Sequence, residues 1–139
     1  MDSVAGKVAV LTQVLREVVG DAAAATCDVD HKWPDSARAD LVSRDVPGRN
    51  VTIQATPEWF DIRANDLGVS ATIFDSDYDE AELEDTIREL ATVAREYLAG
   101  GGHIEWRRHL LGGPRPRLKI QTGHGEWVLG RRTSHIPYP

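Results

Sequence analysis

At 139 residues, with 41% apolar and 27% charged side chains, the chain has the composition of one globular domain, long enough to bury roughly 65–70% of its unfolded surface. Its longest apolar runs, 8–11 and 22–25, fall far short of the ~20 residues of a membrane span, the N-terminal Met1-Asp2-Ser3 opens no signal peptide, and a lone Cys27 makes no internal disulfide. The expectation is a protein of the reducing cytoplasm with no membrane partner.

The first predicted element is an amphipathic helix whose stripe is Val4, Val8, Leu11, Val14, Leu15, Val18 and Val19, with Lys7, Gln13, Arg16 and Glu17 off it and Gly20 as the stop. Residues 22–25 either extend that helix by a turn or form a linker. Cys27, Val29, His31 and Trp33 then alternate with Asp28, Asp30 and Lys32, the period of a short strand with Cys27, Val29 and Trp33 inward. Pro34 ends it, Asp35 is placed to cap a short helix reaching Val42, and Asp45-Val46-Pro47-Gly48 is a turn.

A meander follows. Val51, Ile53 and Ala55 alternate with polar neighbours. Phe60, Ile62 and Ala64 alternate with Trp59, Asp61 and Arg63, and Val69, Ala71 and Ile73 with Ser70, Thr72 and Phe74. The strongest element is the helix read over residues 77–102. Asp79 caps it, with Glu82 three residues on, and Leu83, Ile87, Leu90, Ala91, Ala94, Tyr97 and Leu98 form its buried stripe. Gly100, Gly101 and Gly102 end it. Three more strands are read at 103–111, 117–121 and 126–131, with Ile104, Trp106, Leu118, Ile120, Trp127 and Leu129 inward. Trp106, Trp127 and Ile87 are expected to be buried together. Residues 132–139 hold two prolines and no pattern, an extended tail beyond a single domain at 1–131. The fold class is α+β, a single antiparallel sheet of about six strands in two meanders, with two long helices on one face.

Charge is uneven. The net −6 divides into −11 over residues 1–102 and +5 from His103 onward, and residues 75–89 hold eight carboxylates against Arg88. Acids suit a helix N-terminus, but pairs four apart, Glu80 with Glu84 and Asp85 with Glu89, repel. The segment is therefore either a solvated face or a surface for a basic partner, the latter built from Asp75, Asp77, Asp79, Glu80, Glu84 and Asp85.

Chemistry finds less support. His103 and His109 share a strand face but stand about 20 Å apart at ~3.3 Å per residue, His124 belongs to a turn between two glycines, and His135 lies in the tail. The potential ligands around Cys27 and His31 alternate between two faces. Asp75, Asp77 and Asp79 match three positions of a calcium loop, yet Glu80 stands where glycine is required and Thr86 where glutamate is. No nucleophile elbow, phosphate-binding glycine loop or cofactor motif occurs, so no catalytic residue, metal or cofactor is expected. A second candidate surface is a sheet face carrying Trp59, Arg63, Arg107, Arg117 and Lys119, the mix of aromatic and basic groups that holds single-stranded nucleic acid. The acidic whole, with a pI near 5.3, weighs against it.

The order of meander, long acidic-capped helix and second strand group, over residues 51–75, 79–98 and 104–129, resembles the bacterial secretion-chaperone-like fold, used by type III secretion chaperones and by some immunity proteins of toxin–antitoxin systems. The resemblance implies a protein that acts by binding another protein, with no catalytic residues. The leading expectation is an immunity-type inhibitor or chaperone that offers its acidic surface to a basic protein. Against it stand a small-molecule-binding or enzymatic domain using the concave sheet face and a nucleic-acid binder, and self-association as a homodimer is open.

Overall fold

The computed structural model describes residues 4–74, 79–108, 113–131 and 133–134. Helix α1 (Val4–Val18) leads through a single 3₁₀ turn (Gly20–Ala22) into β1 (Ala23–Val29) and β2 (Ala37–Ser43). Next come β3 (Asn50–Ala55), β4 (Trp59–Ala64), β5 (Val69–Phe74) and α2 (Glu80–Leu98). Strands β6 (His103–Arg107), β7 (Arg115–Thr122), β8 (Gly125–Leu129) and the two-residue β9 (Thr133–Ser134) complete the order.

The described residues make two sheets, where one was expected. Strands β1 to β5 form an antiparallel meander with β9 added parallel to β5, and β6 to β8 form a separate antiparallel sheet. The two meet where Ser70 and Gly130 exchange backbone hydrogen bonds of 2.9 and 3.1 Å. Residues 133–134 of the expected tail therefore pair against β5, and 132 and 135–139 lie outside the described residues.

Period-two alternation is realised in β3, β4 and β5. Val51, Ile53 and Ala55, then Phe60, Ile62 and Ala64, then Val69, Ala71 and Ile73 are all buried. They face the two helices, from which Leu11, Val14, Leu15, Ile87, Leu90, Ala91 and Ala94 enter the same core. Lys7, expected off the α1 stripe, is buried at 1% exposure, while Val8 is only half-buried. The spacing explains it, because 7, 11, 14 and 18 trace one helix face.

Residues 35–42 correct the sequence reading most clearly. They are not a capped helix, since Ala37, Ala39 and Leu41 are fully buried as the inward positions of β2, which pairs with both β1 and β3. Nor do residues 22–25 extend α1, because β1 starts at Ala23. The strand read over 103–111 ends at Arg107, with 109–111, His109 among them, outside the described residues, and its Trp106 is 63% exposed instead of buried. Alternation does put Trp106 on the side of half-buried Ile104, but Trp106 stands opposite Pro116, two pairs beyond buried Leu118, toward the end of β6. A pattern assigns a face without supplying a cover.

Helix α2 joins the two sheets. At its start Asp79 accepts a 2.8 Å hydrogen bond from the Glu82 N–H, as the cap pattern predicts. Its buried stripe is the expected one with Val93 added. Glu89 accepts from Trp127 Nε1 at 2.6 Å and from Thr122 Oγ1 at 2.9 Å, which ties the small sheet to the helix. At the C-terminus Arg49 Nη1 donates to the carbonyls of Tyr97 and Gly101 at 2.9 and 3.0 Å, while its guanidinium lies 4.4 Å from the Tyr97 ring centre. Gly102 then sits at φ +92, and a Cβ there would stand 3.0 Å from Leu118 Cδ1, so the helix can turn into β6 only through glycine.

Burial of the Trp127 ring against α2 sets one expectation. Trp127→Ala should cost ~3–5 kcal/mol in urea unfolding, whereas Trp106→Ala should change stability by less than about 0.5 kcal/mol. Equal losses would place Trp106 in the core.

Tyr97 gives a second. Its phenol is raised above the ordinary tyrosine range, by burial first and then by the hydrogen bond it donates to Asp66 and the charge of that carboxylate. A raised value means that its stabilising effect is full below the unfolded pKa near 10 and is lost as pH rises through the folded one. Urea melts should show stability declining above about pH 10, with Tyr97→Phe removing part of the decline and costing about 1 kcal/mol at neutral pH.

Candidate functional site

The helices cover one face of the large sheet and leave the other open. On that open face, the side chains that alternate with the core meet across the strands. Arg38 binds Asp40 through its Nε at 3.1 Å and Nη2 at 3.1 Å, Thr52 donates to Asp40 at 2.7 Å, and Asn65 donates to Thr52 at 2.9 Å. This polar lattice is the wetted surface of an ordinary antiparallel sheet over most of its length.

One end differs. Strand β1 ends, β2 begins, β3 ends, β4 begins and β5 ends at the same edge, because each pair is antiparallel and the registers align Val29 with Ala37, Ala37 with Ala55 and Trp59 with Phe74. Trp33 from the β1–β2 connection, Trp59 and Phe74 are thereby gathered beside one groove of 620 Å³. Phe74 is 69% exposed and Trp33 51%. Trp33 was expected to point inward. Instead Asp30 takes the buried position, its Oδ1 accepting the N–H groups of Lys32 (2.8 Å) and Trp33 (3.1 Å), and this turn throws the indole outward.

The groove floor is charged. Asp30 Oδ2 accepts from Gln54 at 3.1 Å and lies 3.9 Å from Arg38. Asp61, half-buried between β3 and β5, accepts from the Thr72 hydroxyl at 2.9 Å. Burial pushes its carboxyl above the usual carboxylate range, against the downward pull of Thr72 and of the Arg63 charge. A second cavity of 370 Å³ adjoins, bordered by Trp33, Thr56, Pro57, Trp59 and Ser36. The Ser36 hydroxyl is buried and meets no hydrogen-bond partner among the described residues, so it is a group that a bound ligand or a water must satisfy.

The two surfaces expected from sequence are only partly assembled. Asp75 and Asp77 lie outside the described residues. Asp79 is spent on the helix cap, and Glu84 shares Arg88 with Glu17 of α1. Glu80, Glu82 and Asp85 stand exposed on the first turns of α2. The basic surface is divided between the sheets: Trp59 and Arg63 flank the groove, whereas Arg107, Arg117 and Lys119 are on the small sheet, where Lys119 Nζ pairs with Glu105 at 3.0 Å. No continuous phosphate track results. Among the described residues no group of three or more His, Cys, Asp or Glu is placed to hold a metal ion, and no described helix is long and apolar enough to cross a membrane. His124, expected as a turn residue, lies 3.7 Å from Glu89 at the β7–β8 turn.

Alternation in the sequence sets Trp59 and Phe74 outward, but it does not bring the two together. The available signal was that both follow the same alternation at the facing ends of consecutive strands. No family model, curated protein or solved structure matches the chain.

Burial disfavours the ionised form of Asp61. With its folded value raised, stability is lost as pH rises from the unfolded carboxylate value through the folded one. Asp61→Asn, which keeps an oxygen for Thr72, should raise the melting temperature at pH 7 and flatten its dependence between about pH 4 and 7. A lower melting temperature would mean that Asp61 is a structural anion.

Proposed function

We propose that this chain is a non-catalytic protein-binding module, acting as an immunity-type inhibitor or a secretion-chaperone-like protein does, and that its recognition surface is the aromatic end of the open sheet face. The observation that carries the reading is the convergence of Trp33, Trp59 and Phe74, from three separate segments, on one groove with arginines beside it. Aromatic residues and arginine are enriched where interfaces concentrate their binding energy, and such clusters on an exposed face are costly to leave in water. Asp61, whose carboxyl is pushed upward by burial, suits a group retained for binding.

The acidic start of α2 supplies steering. Phe74 and Asp79 are five residues apart, so their Cα atoms lie within about 18 Å of each other. A basic partner approaching the exposed Glu80, Glu82 and Asp85 thus arrives beside the aromatic groove. The anchor sets how tightly it stays, and the acids set how fast it arrives.

Affinity capture with the native chain should recover a basic protein. Trp59→Ala with Phe74→Ala should weaken that complex at least about 30-fold, through the dissociation rate. Glu82→Lys with Asp85→Lys should instead slow association and reduce its salt sensitivity. Unchanged affinity in the aromatic double variant would remove the groove from the interface.

A further inference from the structure

We infer that the free edge of β1 pairs with the same edge of a second copy of this chain, making an antiparallel dimer with a two-fold axis at Ala25. The inference rests on the backbone of that edge and is independent of the aromatic groove.

The bonding pattern decides which groups are available. The Asp30 N–H donates to Ser36 at 2.9 Å and the Arg44 N–H to Ala22 at 3.1 Å, and these bonds continue the β1–β2 register at even-numbered residues. The odd-numbered residues of β1 therefore turn their N–H and C=O groups away from β2. The outward N–H of Val29 is already taken by the Asp28 carboxylate at 2.7 Å. Ala23, Ala25 and Cys27 are left, and β1 is the terminal strand of its sheet.

These three residues complement themselves. Antiparallel pairing about Ala25 sets Ala25 opposite its own copy, and Ala23 opposite Cys27 on both sides, which places all three in hydrogen-bonded pairs. Asp28, by occupying the next N–H, ends the ladder. No like charges face each other, and every side chain at the centre is small.

Two of the other described edges are guarded. Edge strands are ordinarily protected by charge or cover. Strand β6 carries His103, Glu105 and Arg107, and β5 is covered by β9 and Gly130. Strand β1 reads Ala-Ala-Ala-Thr-Cys-Asp-Val, with no lysine, proline or glycine.

The helix layer also closes. Helix α1 rests over both β1 and β2; an axis midway between the two strands would lie about half a strand spacing inside β1, with the two-fold axis half a spacing outside. Two α1 helices would then stand ~10 Å apart, the spacing of packed helices. Between α1 and the β1 edge lies an open groove of 280 Å³, bordered by Thr12, Leu15, Arg16, Val19, Ala25 and Cys27. The second copy's α1 and β1 would cover it.

Light scattering on the native chain at about 100 µM should give twice the 15.3 kDa of one chain, falling toward one on dilution to about 1 µM. Ala25→Pro removes only an outward N–H and should be folded by circular dichroism yet monomeric. Ala25→Glu, which sets two carboxylates across the axis, should behave alike and decides the matter if the proline variant does not fold. Hydrogen exchange of the native chain needs no variant: the Ala23, Ala25 and Cys27 amides should be protected at the higher concentration and lose protection on dilution. A native monomer at about 100 µM, concentration-independent exchange at these amides, or a folded variant that remains dimeric would overturn the inference. In the first two cases the edge is left to an extended segment of another protein.

Discussion

The structure depends on the burial of one helix stripe against two sheets at once. Ile87, Leu90, Ala91 and Ala94 of α2 share a core with the five-stranded meander, and the same helix meets Trp127, Leu118 and Ile120 of the small sheet. Backbone pairing links the sheets at Ser70 and Gly130, and a two-residue strand adds little to it. The small sheet, three strands with one buried face, needs a partner layer to be stable. Glu89 supplies the polar half of that contact, accepting the Trp127 indole N–H.

The open sheet face follows from the same constraint. With both helices on one side, the opposite face has no cover, and the antiparallel registers bring every outward residue at one end into a row. Over most of the face that row is a lattice of Arg38, Asp40, Thr52 and Asn65, in which each group satisfies its neighbour. At the end carrying Trp33, Trp59 and Phe74 the lattice gives way to exposed aromatic surface around a buried acid. Stability alone does not call for that arrangement, which is the physical reason to place function there.

Much of this was legible in the sequence, and the failures have specific causes. The α2 cap, stripe and glycine stop were readable because local pattern and burial agree there, as were β3 to β5 with their clean period of two. Strand β2 was misread because Asp35 resembles a cap and Ala37, Arg38, Ala39 and Leu41 are good helix formers. Only its neighbours β1 and β3 make that segment a strand, an effect of tertiary context that no window of residues contains. Trp33 and Trp106 failed for a related reason. Alternation gives a face, but whether anything covers that face depends on elements far away in the chain. For the site, Trp59, Arg63, Asp61 and Phe74 were assigned the correct outward face, while the inward assignment of Trp33 hid the convergence. The two-sheet division also separated Arg107, Arg117 and Lys119 from the Trp59 and Arg63 with which sequence had grouped them.

Trp106 makes a decisive comparison possible, because it is about as exposed as Trp33 and Phe74 of the groove but belongs to the other sheet. Hydroxyl-radical footprinting of the chain, free and bound to its captured partner, reads the solvent reactivity of each aromatic side chain. Binding at the open sheet face predicts that Trp33, Trp59 and Phe74 lose reactivity together while Trp106 keeps it. Protection of Trp106 with the three groove aromatics unchanged would contradict the assignment and move recognition to the small sheet.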